Sequence, residues 1–384
     1  MCESYLDSYL ALYQTIHPIV DIPHFRCKVD QFWNDPKSAE VSWLASFLMV
    51  LALGCFATTR HQYPTADLCM AAEACLSKTP FMISPDLFAI QTLCLMVIAK
   101  QITNTSCRTF DSCWAFLGIV IRAAVCMNLH RQPAPKCQSG ESIREWHHGR
   151  TLWSLIVYFC IHTATITGKP PLIGVDDLIA KFPSPSYPPD IVDPWMALTE
   201  TYLRISHVIA RVSSDADKPS YDEIQEYNDQ LRQSMALLDS IHGRPLLFIT
   251  LDIFFRRLLL VLHRLYALHP HAPLQYPVSY WSSLECSLAI LVHHRDLCEH
   301  EGRGLGNVDL LGRLFKLDFF SAMLTICLHL LHEDAPLATG LAIPPRQTIL
   351  DTLQACTNIW GRETHNSICF TIGHRVLTLV LGML

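Results

Sequence analysis

Apolar side chains recur at three- and four-residue spacing along most of this chain, the period of a helix with one buried face. The pattern predicts helices over residues 4–17, 40–60, 65–76, 86–102, 111–130, 144–166, 195–213, 221–241, 245–268, 279–298, 307–332, 346–360 and 368–382. Breakers rich in proline and polar residues separate them: QPAPKCQSG (132–140), FPSPSYPPD (182–190), SSDADKPS (213–220), HPHAPLQYP (269–277) and EDAPLATGLAIPP (333–345). No alternating strand pattern of useful length and no fixed-period repeat is present. The reading is an all-α fold, a large irregular multi-helix domain. Its most apolar helices, at 41–59, 86–99, 113–129 and 151–166, are expected to form a buried inner layer.

The stretch WAFLGIVIRAAVCMNLHRQP, Trp114 to Pro133, shows the pattern at its greasiest. Trp114, Leu117, Ile121 and Val125 make one stripe and Phe116, Val120, Ala123 and Met127 another. Asn128 stands where the helix should stop, and asparagine tolerates the left-handed conformation that ends many helices. Arg122 is the anomaly. In the middle of an apolar helix it is expected to be buried and paired with a carboxylate or with helix-end carbonyls. Further on, Gly168 supplies a left-handed cap and Pro170 stops helix continuation. Arg150 and Trp153 lie three apart and share a helix face, so the guanidinium is expected to stack on the indole or pair with Asp176 or Asp177.

Length and apolarity raise the question of a membrane. Val41–Thr59 carries no charge and is long enough to cross a bilayer core of ~30 Å. It is diluted by Ser, Thr, Gly and Cys, and its flanks show no positive-inside asymmetry. Other apolar runs carry Arg122 and Asp252 at mid-span, where charge is costly. The expected setting is therefore soluble, with no membrane.

Composition narrows the chemistry. The chain has 384 residues, half of them apolar and 17% charged, with a formal net charge of -6 and no basic block. Direct binding to nucleic acid normally leaves a basic footprint, so no DNA binding by this chain is expected. The sixteen cysteines include no Cys-x-x-Cys pair and sit mainly in apolar runs, which points to reduced thiols rather than a zinc site. His293-His294 with His300, and His329 with His332, make weak pairs lacking a third ligand, so no metal is assigned. Gly302-Arg303-Gly304-Leu305-Gly306 lacks the strand–turn–helix setting of a phosphate loop, and there is no nucleophile elbow. No catalytic residue and no cofactor is assigned.

Four blocks, in order, resemble one family. Arg122-Ala123-Ala124 with Asn128-Leu129-His130-Arg131 is similar to the A-x-R-x-A-x-x-x-G-L-H-R segment of the fungal-specific transcription factor domain. That domain is the middle homology region of fungal zinc-cluster regulators. The run from Tyr5 to Trp33 resembles the family's start, where a helix leads into a His-Pro step. Arg150-Thr151-Leu152-Trp153-Ser154-Leu155 resembles its arginine-led Trp-Trp helix, and Gly168-Lys169-Pro170-Pro171, followed by Asp176-Asp177, its Gly-Arg-Pro turn. Ser154, Lys169, Asn128 and Cys160 depart from the family's usual Trp, Arg, Gly and Asp. The family's six-cysteine zinc cluster normally precedes these blocks, and here the resemblance begins within the first few residues, so the cluster is expected to be lacking.

The resemblance implies a patterned half at 1–190 and a C-terminal helical half at 191–384, packed as one continuous domain. It implies the effector or ligand-sensing domain of a transcription regulator, serving a fungal metabolic or secondary-metabolism gene cluster in the nucleus. The alternative is a cyclase or isomerase of specialised metabolism on the same scaffold, in the cytoplasm; the regulator is preferred. Expected partners are a small-molecule effector, proteins of the transcription machinery and a second copy of the chain. Ligand pockets in such domains lie between helices and are apolar with a few polar groups. Arg122, Trp43, Gln91, Tyr158 and His162, the polar residues of the inner helices, are the expected lining. Trp153, Arg150, Gly168, Pro170 and Asn128 are expected to be structural.

Overall fold

A computed structural model of the chain describes residues 1–60, 62–103, 109–131, 140–173, 194–214, 218–240, 243–299, 309–331, 344–365 and 367–384. The described residues are helical, with no strand among them. The longer helices are α1 (Cys2–Ile16), α2 (Ile22–Asn34), α3 (Val41–Thr59), α4 (Gln62–Ser77), α5 (Leu87–Thr103), α6 (Thr109–Cys126), α7 (Gly140–Thr167) and α8 (Thr199–Val212). They continue with α9 (Tyr221–Ala236), α10 (Pro245–Ala267), α11 (Pro277–Cys298), α12 (Lys316–Leu331), α13 (Arg346–Arg362) and α14 (Ile368–Leu381). Asp176, Asp177, His300, His332 and the Gly302–Gly306 run lie outside the described residues, as do most of the breaker segments.

The helices form where the apolar period placed them, and the breakers act through capping. Pro23, Pro245 and Pro277 sit in the first turns of α2, α10 and α11, where a missing N–H leaves no bond unmade. Ser220 and Glu223 close a reciprocal capping box on α9, with Glu223 N donating to Ser220 Oγ at 3.3 Å and Ser220 N to Glu223 Oε2 at 2.8 Å. Asn128 has φ +56° and Gly168 φ +68°, and Arg60 ends α3 at φ +57°. One helix, α2, has no counterpart in the periodicity. Only Phe25 and Val29 of its thirteen residues are buried, too narrow a stripe to announce itself.

The chain divides into two compact units. The first is drawn from Met1–Thr103, Asp111–Ala164 and Pro171–His207, the second from Asn104–Phe110, Thr165–Pro170 and Val208–Leu384. In the first unit α3 is the central helix, with α1, α4 and α5 packed on it. α3 is buried nearly all round from Ser42 to Ala57. A Cβ on Gly54 would lie 1.8 Å from the Tyr5 carbonyl oxygen, so α1 and α3 meet backbone to backbone at that glycine. Among the described residues, α3 is the one helix long and apolar enough to cross a membrane, and 78% of its apolar window is buried inside the molecule. In the second unit α11 packs on α10, α12 and α13, and α13 on α14. Gly373 of α14 accommodates the Trp360 ring, which a Cβ there would meet at 2.2 Å.

Among the described residues thirteen cysteines are free thiols, and seven of them, one each on α3, α5, α6, α7, α11, α12 and α13, are buried. Cys369 is disulfide-bonded, so the expectation of uniformly reduced thiols does not extend to it.

Candidate functional site

The segment from Thr151 to Ala164 on α7 is mostly apolar and is buried throughout, its polar Thr151, Ser154, His162 and Thr163 included. Within it Tyr158 and His162 stand one turn apart, so their rings overlie. The centroids are 5.6 Å apart and the planes 6° from parallel. His17 arrives from the C-terminal end of α1, with ring distances of 5.7 Å to Tyr158 and 5.1 Å to Phe159. Trp195, on the four-residue helix Pro194–Ala197, meets Tyr158 edge-on at 4.8 Å and lies 6.0 Å from His17. Tyr202 of α8 adds a ring 6.4 Å from Tyr158.

Local sequence explains how His17 comes to point inward. The His17 N–H donates to the Tyr13 carbonyl at 2.8 Å and Pro18 ends the helix. Gln14 then ties the turn. Its Nε2 donates to the Val20 carbonyl at 2.6 Å and its Oε1 accepts from Val20 N at 3.2 Å and from the Tyr9 hydroxyl at 3.0 Å. The imidazole is left 2% exposed, and neither ring nitrogen has a hydrogen-bond partner. Each such orphan typically costs ~1–3 kcal/mol. Burial, reinforced by His162, pushes the His17 pKa down to about 3, so the ring is neutral at neutral pH.

Of the residues proposed from sequence, Tyr158 and His162 are brought together here. Trp43 sits in a different group of rings, stacked on Phe47 at 5.1 Å with Phe32 at 5.6 Å and Phe25 at 6.1 Å. Gln91 is hydrogen-bonded through Nε2 to His148 Nε2 at 2.7 Å, and its Oε1 is buried without a partner. Burial lowers the His148 pKa to about 4, against the pull of Asp21 and with the push of His24. Arg122 corrects the expectation of a buried cation. Its side chain is exposed, and its Nη1 donates to the Gly118 carbonyl one turn back at 3.2 Å. The long side chain leaves the apolar stripe and carries its charge to water.

The residues read as structural have clear surroundings. Trp153 is fully buried, 5.8 Å from His130, and its Nε1 has no partner. Arg150 is half-buried, with burial holding its pKa below the ordinary guanidinium value. The Ser154 hydroxyl bonds to the Arg150 carbonyl and to Thr199. His17, Phe159, Trp195 and Tyr202 are the members of the ring cluster that sequence reasoning did not propose as site residues. The signal for His17 was a single polar residue set among Ile16, Pro18, Ile19 and Val20.

The second unit holds a polar network along α9, α10 and α11. His293 Nε2 and Arg256 Nε each reach Asp252 Oδ2 at 2.6 Å. Arg256 also pairs with Glu285, which accepts from Arg232 at 2.8 Å. Burial would raise the Asp252 pKa, but the His293 hydrogen bond and the Arg256 charge outweigh it and hold the carboxyl below its ordinary value. Deeper in, His263 bonds Ser279 at 2.9 Å and Asn228 at 3.0 Å, and burial, then Arg232, lowers its pKa to about 4. Among the described residues no group of three or more His, Cys, Asp or Glu is placed to hold a metal ion.

Comparison with known proteins gives this geometry a context. The fungal specific transcription factor domain matches residues 6–267. Transcription factor opdR of Penicillium oxalicum is 29% identical over 157 residues, 38% of this chain and 19% of the relative. Transcription factor asR3 of Sarocladium schorii is 21% identical over 395 aligned residues, 86% of this chain and 45% of the relative. The Zn(2)-C6 fungal-type transcription factor mpsB of Macrophomina phaseolina is 21% identical over 419 aligned residues, 95% of this chain and 55% of the relative. Where the similarity runs along most of this chain, the chain spans about half the length of the relative. No solved structure matches.

Proposed function

Because this chain belongs to the fungal specific transcription factor domain family, we propose that it is the regulatory part of a transcription regulator and carries out no chemistry of its own. The observation that carries this reading is the family match over residues 6–267. The relatives named above are all transcription factors, and none lends support to an enzyme. The role proposed is to receive a small-molecule effector or a protein of the transcription machinery, in the nucleus, for a set of fungal metabolic genes. Tyr158 and His162 are the effector-facing residues that the geometry favours. Trp43 and Gln91 support the fold around other rings and His148.

Reading a DNA sequence falls outside the proposed role of this chain. A net charge of -6 without a basic block offers no electrostatic footprint for phosphates. The purified chain is expected to show no sequence-selective duplex binding at physiological salt, in a filter or fluorescence assay; selective sub-micromolar binding would overturn that. Fused to an unrelated DNA-binding domain, the chain is expected to change reporter transcription in a fungal host. A reporter indifferent to the fusion, with the fusion stably expressed, would count against the regulatory role.

A further inference from the structure

The packing of its cluster leaves both ring nitrogens of His17 idle. The side chain is 2% exposed and both nitrogens lack partners, while Tyr158, Phe159 and Trp195 surround it at 5.1–6.0 Å between centroids. A phenylalanine would fill the same space without stranding a donor and an acceptor. Tyr158 and His162, stacked to within 6°, present flat faces beside it. We propose that the His17 cluster is the effector site of this domain and that its ligand is a flat, uncharged ring bearing a hydroxyl or an amide. The proposal rests on the regulatory reading above and adds the site and the ligand class.

Each part of that class follows from the residues. Ring walls stack best on a flat partner. A neutral imidazole offers one N–H and one lone pair, and a hydroxyl or amide can answer either, whichever nitrogen holds the proton. Charge is disfavoured on two counts. The ionisable neighbour acting on His17 is His162, which supplies no carboxylate for a cation. Arg122, the cation that would have held an anion, faces solvent.

Benzamide and benzoate test this as probes of one shape and different charge. The full chain, labelled with ¹⁵N-histidine, is titrated with each while its melting temperature and imidazole resonances are followed. Benzamide is expected to raise the melting temperature and shift the His17 ring signals, identified by their loss in His17→Phe; benzoate is expected to do neither. His17→Phe is expected to melt at or above the parent and to bind benzamide about tenfold more weakly or worse. If His17→Phe does not fold, Tyr158→Leu removes the stacked wall and is expected to weaken benzamide in the same way. Equal binding of benzoate, unchanged benzamide binding in the folded variant, or His17 signals that stay put at saturating benzamide would overturn the proposal. Any of these leaves the reporter result standing, so failure of the site and failure of the regulatory role are separable.

Discussion

Trp153 is wholly buried, 5.8 Å from His130, on a helix segment with no exposed face. Trp153→Ala leaves a void that neighbours on rigid helices cannot close, and is expected to destabilise by ~3–5 kcal/mol. Calorimetry or urea unfolding checks it; an unchanged transition would mean the indole contributes no packing. Legibility at this scale follows chemistry. The apolar residues of α7 declare their burial by composition alone. Arg122 does not declare its exposure, because a flexible four-bond arm reaches water from a helix whose Cα positions all look internal. Two of the five residues proposed for a binding site, Tyr158 and His162, are neighbours because they are one turn apart, which a sequence can show. His17 and Trp195 join them through tertiary packing, which it cannot.

At the scale of elements, helix period and capping residues were enough to find the long helices, and α2 shows where they fail. A helix held by Phe25 and Val29 has almost no amphipathic signature, and its existence depends on the rings of Trp43 and Phe47 against which Phe25 packs. The contact between α1 and α3 depends on one missing methyl. Gly54→Ala places a Cβ on the Tyr5 carbonyl, and backbone on both sides must move. The expected loss is at or above the ~1–3 kcal/mol usual for overpacking, despite the gain in helix propensity. A variant as stable as the parent in denaturant titration would show that α1 shifts freely.

For the whole molecule, pH is the informative variable. His17 and His148 in the first unit and His263 and His294 in the second have pKa values lowered to about 3, 4, 4 and 3 respectively, burial being the leading cause in each. Unfolded histidine titrates near ~6.5, so between that value and the folded pKa the unfolded chain binds more protons. The stability of neutral burial is therefore complete above pH ~6.5 and is lost as pH falls toward 4, at up to ~1.4 kcal/mol per pH unit for each histidine. Urea midpoints are expected to fall steadily from pH 7 to pH 5, well before carboxylates protonate; midpoints flat over that range would rule this out. What sequence conveyed at this scale was the family, through four blocks between residues 5 and 177, because turn chemistry and helix-end residues stay recognisable. The division into two units was not legible, since helices α6, α7 and α8 run across its borders without any change of composition.

The Gly54 contact also bears on how the protein opens. Terminal helices usually fray first, but α1 touches the central helix through its backbone, so it cannot detach without exposing α3 as well. In deuterium exchange, amides of residues 6–16 should label as slowly as those of α3, only through openings that release both helices. α2, with two buried residues, should label much earlier although it lies between them in sequence. The protection map would then run slow, fast, slow along the first sixty residues, an order set by where one glycine lets two backbones meet.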